Sequence, residues 1–122
     1  MIPKTIPNWI AGEECPAQSG AWFDKLNPAN GQLLTRAARS GAADIAAAVK
    51  SAKRAFPPWA ETPAVQRGLL LHKIVVGMQN HQEEIARIVA AETGKSYKDA
   101  LAETGGAIQC GLFYASEGQR LY

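Results

Sequence analysis

The spacing of apolar and polar residues divides the chain near residue 40. Before that point, short apolar stretches alternate with turn-forming residues. Trp9-Ile10-Ala11-Gly12-Glu13-Glu14 and Ala21-Trp22-Phe23-Asp24-Lys25-Leu26 read as short strands. Pro16-Ala17-Gln18-Ser19-Gly20 carries turn chemistry between them, which predicts a β-hairpin. Asn27-Pro28-Ala29-Asn30-Gly31 is a second turn, with a φ fixed by proline and an Asn-Gly pair that tolerates positive φ. Leu33 to Arg39 alternates loosely and reads as a third strand.

From Ser40 the period becomes helical. Ser40 is the expected N-cap, and Asp44 suits the positive end of the helix dipole. Ile45, Val49, Ala52 and Phe56 then fall on one helical face. Pro57-Pro58 is expected to end that helix. Thr62-Pro63 is expected to start the next, as N-cap and first-turn proline. Leu70, Ile74, Met78, Ile85, Ile88 and Val89 form the following stripe, with a break near Asn80-His81. The last helix starts at Ser96 and turns Leu101, Ile108 and Leu112 inward, while Thr104, Gly105 and Gly111 keep that face thin for close packing. It is expected to run through Glu117-Gly118-Gln119-Arg120-Leu121-Tyr122. Its opposite side carries Cys110, Phe113 and Tyr114, and a helix apolar on two sides expects a partner on each. This chain supplies one. The order is strands and turns over residues 1–39, then three or four packed helices over 40–122, with no internal repeat and no complete dinucleotide-binding domain.

Glu92-Thr93-Gly94-Lys95-Ser96 ends in the tripeptide that closes a phosphate-cradling loop. Such a loop needs a glycine where this chain has Val89, and a strand leading in. The approach here, Ile85 to Ala91, has helical spacing. A helix stop fits better: Gly94 as a left-handed C′ residue, Lys95 as a cation at the negative helix end, and Ser96 as the cap of a new helix.

Composition narrows the possible functions. Of 122 residues 47% are hydrophobic and 20% charged, an ordinary globular balance. The net charge of +2 is scattered rather than striped, which argues against a nucleic-acid partner. The longest nearly uncharged apolar run, residues 68–71, is too short to span a bilayer. The first seven residues lack a signal peptide's apolar core, so a cytoplasmic location is expected. Cys15 and Cys110 lie far apart, without a second cysteine or a histidine at metal-ligand spacing, and read as plain thiols.

Catalytic chemistry is missing. His72 follows three leucines and His81 sits near the helix break; neither has a nucleophile or carboxylate at a spacing that argues for a triad. Glu83 and Glu84 are adjacent and point to different sides of a helix. Gly105-Gly106 lies inside a helical pattern and lacks the dinucleotide fingerprint.

The order of landmarks nevertheless carries a resemblance over essentially the whole chain. Asn8-Trp9-Ile10-Ala11-Gly12-Glu13, Phe23 to Gly31, the 40–56 helix ending in Ala55-Phe56-Pro57-Pro58-Trp59, and residues 67–74 come first. Glu92-Thr93-Gly94-Lys95-Ser96, Glu103 and Phe113-Tyr114-Ala115 complete the series. Together they resemble the opening of the NAD(P)-dependent aldehyde dehydrogenase superfamily, with Ala11 standing where that family usually has Asn. The resemblance implies an α/β fragment, the first quarter of a longer chain that oxidises an aldehyde to a carboxylic acid. In that family a cysteine attacks the carbonyl, hydride passes to NAD(P)+, and a glutamate-activated water releases the acid. The residues responsible, and the cofactor-binding segments, would lie beyond Tyr122. Cys110 lacks the nucleophile's surrounding motif, so the chain alone is expected to be inactive and to bind neither NAD nor NADP.

Two lesser roles follow from the resemblance. Gly106, Cys110 and Phe113 would line the substrate tunnel, with plain helix packing as the alternative. The backbone of Leu26 and the carboxylate of Glu92 would lie near a structural monovalent cation, with a helix-surface glutamate as the alternative. The tail from Ser116 to Tyr122 resembles the semialdehyde- and aromatic-aldehyde-oxidising branches. The expected partners are the remainder of the aldehyde dehydrogenase chain, or a second copy through the last helix, and a small aldehyde for the parent. A freestanding helical interaction module derived from that family is the competing reading.

Overall fold

The computed structural model describes residues 2–120. It contains two compact units, the first ending at Ala60 and the second beginning at Glu61. The first unit holds five strands: β1 (Thr5–Ile6), β2 (Asn8–Ile10), β3 (Glu13–Cys15), β4 (Trp22–Leu26) and β5 (Leu33–Ala38). They are followed by helix α1 (Ala42–Glu61), whose final residue falls just past the boundary.

The expected hairpin between the first two strand candidates does not form. The stretch from Trp9 to Glu14 is itself a hairpin: β2 pairs antiparallel with β3, Ile10 opposite Glu13. Its turn is Ala11-Gly12, with φ of 60° and 85°. Both values are left-handed, as a two-residue type I′ turn requires. Lacking Asn at the first position, the sequence conceals this turn, and the more conspicuous Pro16–Gly20 run draws attention away from it. β4 pairs antiparallel with β5 instead, from Trp22 opposite Ala38 to Leu26 opposite Leu33, with an irregularity between Lys25 and Leu26.

The Asn27–Gly31 turn that joins β4 to β5 is built as its residues suggest. Asn27 Oδ1 accepts from the Ala29 amide at 2.9 Å, and the Gly31 amide donates to the Asn27 carbonyl at 2.8 Å. Gly31 has φ of 70°. β1 adds to the other edge of β5 in parallel. Thr35 is buried there, and its hydroxyl donates to the Pro3 carbonyl at 2.7 Å.

Helix α1 departs from expectation at both ends. Ser40 does not cap it; its hydroxyl donates to Asn8 Oδ1 at 2.7 Å. Asp44 does the capping: Oδ2 accepts from the Gly41 amide and Oδ1 from the Gln18 amide, each at 2.8 Å. This is the reciprocal half of a capping box, in which a third-position acid reaches back to the residue before the helix. At the other end α1 runs through Pro57-Pro58 to Glu61 rather than stopping. Proline's fixed φ fits a helix, so the two residues remove amide donors without changing the path of the backbone.

The second unit is a three-helix packing of α2 (Ala64–Asn80), α3 (Gln82–Thr93) and α4 (Tyr97–Glu117). Pro63, not Thr62, occupies the N-cap of α2, without a side-chain cap. The Thr62 carbonyl accepts from Arg67 Nη1. The break at His81 and the stop at Gly94 fall where the sequence places them. Gly94 is left-handed, with φ of 75°, and its amide donates to the Ala90 carbonyl. Lys95 does not serve the helix end; its ammonium pairs with Glu103 of α4.

The buried side of α2 also differs from the expected stripe. Val75 is 1% exposed, whereas Leu70 and Ile74 are exposed. Apolar residues surround α2, so periodicity cannot select the inward side. Glycines on the packed surfaces do. A Cβ on Gly111 would lie 2.5 Å from Val75 Cγ2, one on Gly68 would meet the Ala115 carbonyl oxygen, and one on Gly118 the Ala64 carbonyl oxygen. α2 and α4 thus run antiparallel along a seam that admits no further atoms. α4 ends at Glu117; the expected continuation reaches Leu121 and Tyr122, which lie outside the described residues.

Candidate functional site

The open side of α4 is the strongest candidate surface. Ser96 starts this helix: its Oγ accepts from the Asp99 amide at 3.1 Å and donates to Asp99 Oδ2 at 2.7 Å. Ala100, Thr104, Ile108 and Ala115 are buried on the packed side. The Thr104 hydroxyl is satisfied within the helix, donating to the Ala100 carbonyl at 2.8 Å, which lets a polar residue sit in the core.

Gly106, Cys110 and Phe113 are exposed. At 3.6 residues per turn they lie within about 60° of one another and opposite Ile108. A Cβ at Gly106 would meet nothing within 4 Å, so packing does not explain that glycine as it explains Gly111. Phe113 is 56% exposed and stands edge-on to Tyr114, ring centroids 5.3 Å apart. The face is therefore an aromatic pair, a thiol and a stretch of bare backbone in a row. That surface can make apolar contact with a partner or substrate but holds no proton-transfer partner.

The remaining polar groups do not assemble a catalytic centre around it. His72 lines a depression of about 110 Å³ between α2 and α4, with Gly68, Leu69, Leu112, Ala115, Ser116 and Gln119. The Ser116 hydroxyl there donates to the Phe113 carbonyl at 2.8 Å, as a helix-surface serine commonly does. His81 Nδ1 lies 3.3 Å from Glu84 Oε2 at the α2–α3 joint. Arg87 bridges to Glu83 at 3.1 Å and stacks over the Tyr97 ring. Among the described residues no group of three or more His, Cys, Asp or Glu side chains could hold a metal. Leu26 ends β4 in the first unit, and Glu92 sits in the last turn of α3 in the second.

A second polar cluster in the first unit has no sequence signature. Asn8, Ser40 and Asp44 line a depression of about 150 Å³ with Trp9, Ile10, Ile45 and Ala48. Asn8 Nδ2 is buried there without a hydrogen-bond partner. Two backbone amides, Gly41 first and then Gln18, hold the Asp44 carboxyl below the usual carboxylate range. Residues 32 and 36 positions from Asn8 converge only through the fold. Asp44 was legible in the sequence as a dipole partner, not as a clasp for the Gln18 segment.

Comparison with known proteins gives this surface its context. A model of the aldehyde dehydrogenase family matches residues 15–122. Malonate-semialdehyde dehydrogenase 2 of Geobacillus kaustophilus (strain HTA426) is 37% identical over 112 residues, which is 92% of this chain and 23% of that protein. The 3-sulfolactaldehyde dehydrogenase of Pseudomonas putida is 38% identical over 93% of this chain and 24% of its own length. The crystal structure of PnpE in complex with nicotinamide adenine dinucleotide superposes with a TM-score of 0.92 at 31% identity, covering 95% of this chain and 24% of that one. The chain thus spans about a quarter of the length of the relatives it matches. No helix among the described residues is long and apolar enough to cross a membrane. The chain belongs to the aldehyde dehydrogenase family and corresponds to its N-terminal portion.

Proposed function

We propose that this chain is the N-terminal quarter of a cytoplasmic NAD(P)-dependent aldehyde dehydrogenase that oxidises an aldehyde to a carboxylic acid, and that by itself it does not turn over substrate. The observation that carries the reading is the match across residues 15–122 to proteins about four times as long. The contents of the chain agree with it. Neither histidine is placed to activate Cys110, and no dinucleotide-binding fingerprint is present. NAD or NADP would be held, and hydride transferred, by residues outside this chain. In the complete enzyme Gly106, Cys110 and Phe113 form part of the wall along which the aldehyde passes. Bare backbone at Gly106 leaves room there, and Phe113 supplies apolar contact.

The test is spectrophotometric. The 122-residue chain, given a short semialdehyde with NAD+ or NADP+, is expected to produce no reduced cofactor. The longer reading frame that contains it is expected to do so, and Gly106→Leu in that longer protein is expected to raise KM for bulky aldehydes more than for small ones. Turnover by the short chain alone would sink the reading. So would a longer frame without a downstream Gly-Gln-x-Cys-type segment.

A further inference from the structure

The apolar residues of this chain are sorted against size. All three tryptophans and all three phenylalanines are exposed, from 36% for Trp22 to 69% for Trp9. The buried apolar residues among those described are four alanines, Val75 and Ile108. In a self-contained domain the large apolar side chains fill the core, and extensive exposed apolar surface marks a binding face.

The exposure is organised into helix faces. On α4 it is Cys110, Phe113 and Tyr114. On α1 it is Ile45, Phe56 and Trp59, which recur at helical spacing on one stripe. Lys50, Lys53 and Arg54 flank that stripe, and no acidic residue lies between Asp44 and Glu61. Two copies of α1 laid together would bring cation against cation, so charge disfavours a second copy and favours an apolar surface with an acidic rim. The relatives carry the same fold as one quarter of their length, leaving three quarters of a chain to meet these faces.

We propose that the open faces of α1 and α4 dock the other three quarters of an aldehyde dehydrogenase, and that they capture it as a separate polypeptide, so that two pieces assemble into a working enzyme. This rests on the function proposed above. The experiment mixes the 122-residue chain with the part of Geobacillus kaustophilus malonate-semialdehyde dehydrogenase 2 that lies outside its matched segment. The same two pieces are also joined as one polypeptide. Size-exclusion chromatography of the mixture is expected to give a one-to-one complex. That complex should oxidise malonate semialdehyde with NAD+ or NADP+, which neither piece does alone. Phe56→Asp and Phe113→Asp should each weaken the complex by about tenfold or more, as loss of a buried aromatic anchor does. An active joined chain whose separate pieces do not associate would overturn the inference while leaving the proposed function standing. A discrete dimer of the 122-residue chain that excludes the larger piece would overturn it in favour of a second copy. An inactive joined chain would overturn both.

Discussion

Gly111 and Val75 form the most quantitative test of the second unit. A methyl group at Gly111 would sit 2.5 Å from Val75 Cγ2, well inside the ordinary carbon–carbon separation, while Val75 Cβ is 3.7 Å away. Gly111→Ala therefore has two opposed effects. Alanine stabilises a helix interior by about 1 kcal/mol over glycine. Overpacking a filled core costs about 1–3 kcal/mol. The net expectation is a loss of up to about 2 kcal/mol, or roughly 4–8 °C in Tm for each kcal/mol in a unit of this size. Val75→Ala alone removes two buried carbons, about 1.6 kcal/mol at the usual value per buried methylene, plus a cavity term. In that background the clash is gone, and Gly111→Ala should become stabilising by about 1 kcal/mol. The four proteins make a double-mutant cycle whose coupling energy should be about 1–3 kcal/mol. Urea unfolding followed by far-UV circular dichroism measures it. Gly77→Ala serves as the control: nothing lies within 4 Å of its Cβ position, so it should stabilise by about 1 kcal/mol. Additive effects of Gly111→Ala and Val75→Ala would refute the seam.

Three further outcomes are expected. Ala11→Asn should raise stability by about 1 kcal/mol, because Ala11 holds a left-handed φ of 60° that Asn tolerates better; an unchanged or lowered melting temperature would count against the β2–β3 turn. Ser96→Ala should cost about 1 kcal/mol through the lost cap on the Asp99 amide, and Ser96→Asp should recover most of it, both read as unfolding midpoints. The Asp44 carboxyl is held below its ordinary value when folded, so its contribution is complete above the unfolded-state pKa and falls away as pH drops through the folded one. Unfolding midpoints taken from neutral pH into that acidic window should decline less steeply for Asp44→Asn than for the unaltered chain, and parallel curves would refute the assignment.

The sequence was most legible where one residue type admits one geometry. Gly94 as a left-handed stop, Ser96 as a cap and Asn27–Gly31 as a turn stand where their chemistry places them. The α4 side opposite Ile108 was equally plain, because polar and small residues leave only one way to pack it. Legibility failed where several residues could satisfy the same rule. Pro16–Gly20 and Ala11-Gly12 both offer a hairpin turn, and pairing with β5 decides between them. Leu70 and Ile74 match helical spacing as well as Val75 does, and only the glycine of a neighbouring helix selects Val75. Asn8, Ser40 and Asp44 are distant along the chain, so no spacing rule relates them. The family signal was readable because it rests on the order of turn and cap residues, which local geometry constrains strongly.

The two prolines inside α1 divide it as a cooperative object. Pro57 and Pro58 have no amide hydrogens, so the Lys53 and Arg54 carbonyls lose the donors an uninterrupted ladder would give them. Propagation along a helix depends on each bond following the last, and a gap two bonds wide forces renucleation on its far side. The helix is thus one melting segment as far as Phe56 and a short separate one from Trp59 to Glu61. Amide exchange should show the step directly: protection carried through the first segment, then two positions with no proton to report, then a stub that opens without waiting for the rest.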